Sequence, residues 1–507
     1  MTSHRKLAIA AIAVLSGMLV GPSVALSQSF KTLVYFNFSD GASPSGLVQG
    51  LDGNFYGTSS GGTNFDGTVF KVTPEGAVTT LHNFCTGTCT DGFDPLAALV
   101  LGTDGNFYGT TEAGGANLQG TIFKITPAGT LTTLYNFCAQ TNCADGELAI
   151  GALVQANGGN FYGTTFSGGV SNALCGGGCG TVFKMTPSGM LTTLYDFCSQ
   201  ANCADGSNPY TGLIQATDGN LYGTTQVGGT SGAGYGTVFR ITTAGTFASL
   251  YSFCAQTGCV DGAYPEGGLL QAADGNLYGT TAGGGEHYGN PYICDDGLGC
   301  GTIFSLTLAG NLTTIHDFCL RKGCPDGNYP AASLIQGTDG DLYGTTVNGG
   351  LNDCIYGYAT CGTVFKVTTT GNLTILHQFD FSDGGESSDS LLQATTGQFY
   401  GGTSLGGETN NGCAGGDCGT IFTLSENLQP FVEALPGSGR VGSAVKILGN
   451  NLTGTVGVTF NGVPAEFKVL SPTLILSTVP SGAMTGSIEV TTASKTLSSN
   501  VPFQVLP

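Results

Sequence analysis

The chain has 507 residues, 40% of them hydrophobic and 9% charged, with 86 glycines, no Trp and a formal charge of −20. So few charges among so many apolar residues exclude a charge-driven disordered chain, and so much glycine excludes a helical one. The acidic balance argues against nucleic acid or anionic lipid as partners.

In chain order, residues 1–27 read as a secretory signal. His4, Arg5 and Lys6 precede the apolar run LAIAAIAVLSGMLV, and SVALS offers small residues for cleavage after Ala25 or Ser27. The run is short for a bilayer span, and no Cys near the cut suggests a lipid anchor. The last residues, VPFQVLP, carry no apolar tail, so no membrane anchor is expected in the mature chain.

Next comes TLVYFNFSDG, Thr32 to Gly41, the closing phrase of a longer unit that then recurs seven times between Gly46 and Leu424. Each copy has a turn such as DGNFYGT (Asp52) or DGNLYGTT (Asp218 and Asp274), followed by GTVF or GTIF. A period of 52 to 65 residues made of extended segments and turns points to a propeller or a β-solenoid. In the second copy ALVL is strand a, NFYGTT strand b, GTIFKIT strand c and TLTTLYNF strand d. Asp-Gly between a and b, and TPAG between c and d, are tight-turn chemistry. Four antiparallel strands make a propeller blade. The seventh copy stops after strand c, so the strand at Thr32 to Phe38 is expected to supply its fourth and close a seven-bladed ring with no open edge.

In an up-and-down blade the a–b and c–d turns share one face, and the d–a and b–c loops share the other. The first set is uniform. The second varies: the b–c loop has 7 residues in copy one (Ser60 to Asp66) and 19 in copy five (Ala282 to Cys300). Binding is therefore expected on the second face.

All 18 Cys fall into nine near-neighbour pairs on that face. Cys85/Cys89, Cys138/Cys143, Cys198/Cys203, Cys254/Cys259 and Cys319/Cys324 lie in d–a loops. Cys175/Cys179, Cys294/Cys300, Cys354/Cys361 and Cys413/Cys418 lie in b–c loops. Copies without a pair lack both partners, which with a secretory signal reads as local disulfides. Zinc would need further ligands, and no His lies beside the d–a pairs.

Seven Asp-Gly steps precede strand a, at Asp40, Asp91, Asp145, Asp205, Asp261, Asp326 and Asp383. They read either as turn formers through Asx hydrogen bonds or as a carboxylate ring at the channel mouth attracting a cation such as Ca²⁺. No other cofactor is expected. His82, His316 and His377 exchange with Tyr135, Tyr195 and Tyr251 in strand d, which favours packing over catalysis. The Tyr of each signature turn reads as core between blades.

Copy five departs most from the repeat. Its b–c loop holds Glu286, His287, Tyr288, Tyr292, Asp295 and Asp296, and the next d–a loop holds Arg321 and Lys322. These eight are the candidate binding residues. No nucleophile or metal spacing supports catalysis there, so no catalytic residue is named.

The pattern DGNFYGTTSGG…GTVFKVTPEG…TTLYNF resembles the Gloeo/Verruco tandem repeat of bacterial choice-of-anchor proteins. The resemblance implies secretion and repeat architecture without an activity, and no sorting anchor follows the repeats here. From Pro430, the GNNL, FNG and VP landmarks resemble an IPT/TIG domain, and AVKILG and SIEVTT alternate as immunoglobulin-like strands do. A fainter similarity, to the propeller of virginiamycin B lyase, lacks that family's Trp turn and transfers no residue.

The expected architecture is all-β: a signal peptide (1–27), a seven-bladed β-propeller closed by an N-terminal strand (28–428) and an immunoglobulin-like β-sandwich (429–507). The expected function is binding of an extracellular protein or polysaccharide through the stapled loop face. The alternative is an extracellular lyase or hydrolase acting on a glycan or lactone.

Overall fold

The computed structural model describes residues 28–62, 65–169, 175–231, 234–286, 294, 297–351, 361–407 and 418–507. The expected signal segment lies outside them. Among the described residues no helix is long and apolar enough to cross a membrane.

Seven four-stranded antiparallel sheets follow one another along the described repeats, each built like a propeller blade. In the second, strands a to d are Val100–Leu101, Phe107–Thr111, Thr121–Ile125 and Leu131–Asn136. Strand b is buried along its whole length because sheets pack on both sides of it. Strand d alternates towards solvent at the outer edge. The signature-turn Tyr is inter-sheet core as expected: Tyr56 stacks on Phe107 of the next sheet with centroids 4.1 Å apart, and Tyr343 on Phe399 at 4.2 Å.

The N-terminal strand completes the last sheet. Ser29–Tyr35 pairs antiparallel with Thr420–Ser425, from Ser29 opposite Ser425 to Tyr35 opposite Thr420. It therefore starts and ends three residues earlier than the repeat phrase implies. Asn37 ends it, its Oδ1 accepting the Ser39 and Asp40 amides at 3.0 and 3.2 Å and so turning the chain out of the ladder.

A second device joins the sheets. The strand-a Gln of one sheet accepts an amide from the a–b turn of the sheet before it, as Gln155 does from Thr103 and Gln215 from Asn157, both at 2.8 Å. Gln49 accepts from Thr395 at 2.9 Å, which carries the ladder across the closure. Copy two has Leu101 at this place.

The C-terminal strands form a sandwich. One sheet orders Glu433–Leu435, Ala444–Leu448, Leu474–Thr478 and Phe467–Ser471; the other orders Val463–Pro464, Thr455–Phe460, Ile488–Thr492 and Thr496–Ser498. Val445, Ile447, Phe460, Ile475, Ile488 and Val490 are the centre of its core.

This sandwich rests on the turn face of the propeller. Thr473 Oγ1 donates to the Leu51 carbonyl at 2.8 Å, Lys446 Nζ to the Thr103 carbonyl at 2.7 Å, and Asn450 Nδ2 to Thr395 Oγ1 at 2.9 Å. Leu448 and Leu435 join Leu51 and Leu101 in one apolar cluster. The Leu that replaces Gln in copy two thus belongs to the cluster in which the sandwich is seated. Gly53, at φ +84°, lies beneath Thr473, whose Cγ2 would stand 2.9 Å from any Cβ there.

Candidate functional site

The loop face is shaped by the seven Asp-Gly steps, though not as a ring of free carboxylates. Asp145, Asp205 and Asp261 are fully buried and each accepts a strand-d Tyr hydroxyl at 2.7 Å: Tyr135, Tyr195 and Tyr251. Each also accepts two amides of its own loop, as Asp145 does from Ala139 and Gln140 at 2.9 and 3.0 Å. In three other copies a His takes the Tyr place, with His82 to Asp91 at 2.8 Å, His316 to Asp326 at 3.2 Å and His377 to Asp383 at 2.7 Å. Asp40 pairs with Asn37. This explains the exchange of His and Tyr, since both bring a ring and one polar atom to the carboxylate. None of the seven Asp lines the central cavity. Of the two readings of Asp40, Asp91, Asp145, Asp205, Asp261, Asp326 and Asp383, these bonds favour turn formers, whose carboxylate oxygens are engaged within the loops.

What lines the mouth is set by the third residue after each Asp. Ser43, Asp94, Leu148, Asn208, Tyr264, Tyr329 and Glu386 all have φ between 46° and 56°, a left-handed conformation uncommon for non-glycine residues. Each spends its N–H on a b–c loop carbonyl of the preceding sheet, as Tyr329 does on Cys300 at 3.0 Å and Asp94 on Asp66 at 3.0 Å. The chain then turns inward, so the residue two further on faces the axis.

The axis holds a cavity of about 460 Å³ whose walls include Tyr210, Glu266, Tyr329 and Asp389. Small residues set its bore: a Cβ on Gly212 would meet the Ala152 carbonyl at 2.3 Å. Asp389 still opens onto the lumen, yet burial by the surrounding strands raises its carboxyl to about 7, only partly offset by the Gly46 amide. Burial raises the Tyr210 phenol, with Glu266 and Glu112 adding to it. Nearer the rim, burial and then Asp66 raise Asp94, and burial and then Asp94 raise Glu112. Among the described residues none of Asp94, Glu112, Glu266 or Asp389 is in an ion pair.

A second pocket, of about 370 Å³, opens beside the axis in the sector of copy five. Glu266 and Tyr329 belong to both cavities. Glu266 is held from two sides, Oε1 accepting Gln226 Nε2 at 2.8 Å and Oε2 accepting the Tyr329 hydroxyl at 2.7 Å. Val227, Ala282, Leu298 and Cys294 supply apolar wall. Tyr264 closes one side with its ring edge-on to Tyr235, centroids 5.6 Å apart.

None of the described candidate residues chosen from sequence lines either cavity. Glu286 is exposed, and His287, Tyr288, Tyr292, Asp295 and Asp296 lie outside the described residues. Arg321 and Lys322 are exposed and line neither cavity; Arg321 borders a separate groove with Leu320, Pro325 and Leu373. The copy-five b–c loop and the next d–a loop do meet, with the sulfurs of Cys294, Cys300 and Cys319 within 4.8 Å of one another. Those sulfurs, and the similar group of Cys175, Cys179, Cys198 and Cys203, belong to disulfides.

Seven disulfides join the expected partners: Cys85–Cys89, Cys138–Cys143, Cys175–Cys179, Cys198–Cys203, Cys254–Cys259, Cys294–Cys300 and Cys319–Cys324. Cys361 and Cys418 are also disulfide-bonded, and their expected partners Cys354 and Cys413 lie outside the described residues.

Comparison with known proteins adds the following. The model of the Gloeobacter/Verrucomicrobia repeat matches residues 22–197, 88–292 and 295–462, and that of the IPT/TIG domain matches residues 431–505. No curated protein matches the chain. Similar solved structures include virginiamycin B lyase from Staphylococcus aureus, 15% identical with a TM-score of 0.48, the match covering 79% of this chain and 99% of that one. They also include a luciferin-regenerating enzyme, 10% identical with a TM-score of 0.41, covering 80% and 98%. A gluconolactonase from Xanthomonas campestris is 11% identical with a TM-score of 0.37, covering 78% and 89%.

Proposed function

The chain belongs to the Gloeobacter/Verrucomicrobia repeat family and ends in an IPT/TIG domain, and from that premise we propose that it is an extracellular interaction protein that binds its ligand on the loop face of the propeller. Residues 28–428 are the binding body and 429–507 a base that occupies the opposite face. The observation that carries this reading is the pair of adjoining cavities sharing Glu266 and Tyr329. The sandwich covers part of the turn face, whereas the loop face carries open concavities with unpaired carboxylates, the usual marks of a site. Its disulfides suit an oxidising compartment outside the cytoplasm, and they pre-stiffen the loops that would otherwise be ordered at a cost on binding. The ligand class is an extracellular protein or a polysaccharide.

The test is to screen the purified protein on protein and glycan arrays beside Tyr210→Ala and Glu266→Ala variants. The reading expects a hit that either variant weakens at least about tenfold, or about 1.4 kcal/mol. Hits untouched by both variants would move the site off the loop face.

One observation favours the alternative, a lyase or hydrolase acting on a glycan or lactone. Asp389 sits in the central cavity with a carboxyl raised to about 7, a range suited to general acid–base work at neutral pH. Turnover of such a substrate that Asp389→Asn abolishes would establish it.

A further inference from the structure

The copy-five pocket has a polarity that specifies its occupant. It presents acceptors at one end and apolar wall elsewhere. Glu266 accepts one hydrogen bond on each oxygen, which leaves lone-pair capacity on both. Beside it, Asn328 donates its Nδ2 to Cys294 Sγ at 3.3 Å, while its Oδ1 is buried and, among the described residues, has no partner. A buried acceptor left without a donor is costly, and a donating group that reaches it removes that cost. Among the described residues no Lys or Arg pairs with Glu266, and Tyr210 of the adjoining cavity feels Glu266 and Glu112 rather than a counter-charge. The local field therefore favours a cation.

The walls decide what carries that cation. Val227, Ala282, Leu298 and the Cys294–Cys300 disulfide offer no side-chain partner to the hydroxyls of a sugar ring, but they suit a methylene stem. Tyr264 and Tyr329 add aromatic surface, which attracts ammonium and guanidinium groups most where water is excluded. A hydrated metal ion would find apolar wall where it needs oxygen ligands. We infer that the pocket formed by Glu266, Asn328, Tyr264 and Tyr329 receives a lysine or arginine side chain of a partner protein. The inference rests on the loop-face binding proposed above and gives that face its chemical preference.

The test uses small probes on the whole mature protein, with calorimetry or ligand-observed NMR at low salt. The probes are N-acetyl-lysine methylamide, N-acetyl-arginine methylamide, the neutral N-acetyl-norleucine methylamide and a glucosamine tetramer. The lysine or arginine probe should bind at least tenfold more tightly than norleucine, and binding should weaken as salt rises. Glu266→Gln keeps the shape and removes the charge; it should lower affinity for the cationic probes about tenfold and leave norleucine unchanged. Asn328→Asp is the opposite variant, and adding a carboxylate should tighten cation binding about threefold. Unchanged melting temperatures would establish that both variants stay folded. Equal binding of norleucine, or insensitivity to both variants, overturns the inference. Preference for the glucosamine tetramer overturns the protein side chain as occupant. Array hits weakened by Tyr210→Ala but not by Glu266→Gln would leave the loop face as the binding face and still reject the cationic pocket.

Discussion

On the turn face, Asp52, Asp104, Asp218, Asp274 and Asp339 each accept a hydrogen bond from the Tyr four residues on, at 2.7–3.0 Å. On the loop face, Asp94 and Glu112 lie near other carboxylates, Asp389 is buried by its surroundings, and among the described residues none of the three is in an ion pair. The shifts follow. Burial pulls Asp104 upward, but the Asn106 side chain and amide, the Tyr108 hydroxyl and Lys124 outweigh it, and its carboxyl ends below the ordinary range. The same balance lowers Asp218 and Asp274. Asp94, Glu112 and Asp389 are raised. One repeat thus holds its turn-face carboxylates within their own turns, whereas on the loop face some are held in the same way, as Asp380 is by Ser382, and Asp94, Glu112 and Asp389 are not.

Opening the ring tests the frame that both faces depend on. Removing Ser29–Tyr35 leaves Thr420–Ser425 as an unpaired edge and uncovers Phe422, against which Phe30 packs at 5.2 Å. Loss of cooperative thermal unfolding, with aggregation on size-exclusion chromatography, is the expected outcome. A monomeric truncated protein with an unchanged melting temperature would show that the strand is dispensable.

The next largest effects belong to the loop face. Asp205→Asn replaces a fully buried acceptor that takes bonds from Tyr195, Ser199 and Gln200. It should cost about 1.5–3 kcal/mol in denaturant unfolding, against about 1 kcal/mol for Tyr195→Phe. Replacing Cys198 and Cys203 together by Ser should cost about 2 kcal/mol on the chain-entropy account. Asp205→Asn without effect would return that carboxylate to the list of free groups at the mouth.

Closure and Cys pairing were legible because repetition is its own control: a phrase present without its unit, or a Cys missing with its partner, stands out against six other copies. The destination of the Asp side chains was not legible. Their recurrence is visible, but their direction is set by loop amides and by a strand-d ring that is Tyr in some copies and His in others, so no single partner type marks it. Glu266 was missed for a related reason. It is a one-residue departure in a stretch where all copies vary, whereas the longest loop departs from the repeat by its length. Nor does anything in Lys446, Leu448 or Thr473 distinguish docking residues from ordinary strand alternation; only the Leu101 exception in the Gln ladder hinted that copy two meets something different.

Docking itself gives a smaller effect. Lys446→Ala and Thr473→Ala each remove one bond to a propeller carbonyl, at about 0.5–1.5 kcal/mol apiece. Hydrogen exchange should rise in the a–b turns of copies one and two and stay level in the loops of the opposite face. Equal change on both faces would mean that the sandwich steadies the whole ring and not its turn face alone.

The sharpest form of the comparison is a mirrored pH dependence. Asp389 holds its proton up to about 7 in the folded chain, against about 3.8 ordinarily. A group raised in this way contributes stability that is complete below pH 4 and is lost as pH climbs through 7. Asp389→Asn removes that loss, so the variant should match the parent near pH 4 and exceed its melting temperature at pH 8. The gain is on the order of 1 kcal/mol, since lumen water screens part of the shift. Asp218 is lowered, so its contribution is present at neutral pH and lost as pH falls below the ordinary carboxylate range. Asp218→Asn should therefore melt earlier than the parent at pH 7 and converge with it in acid, by less because Asp218 is exposed. If the two variants shift in the same direction at pH 8, the two faces do not differ in how they treat a carboxylate. Asp389 would then have no special proton to offer to a reaction.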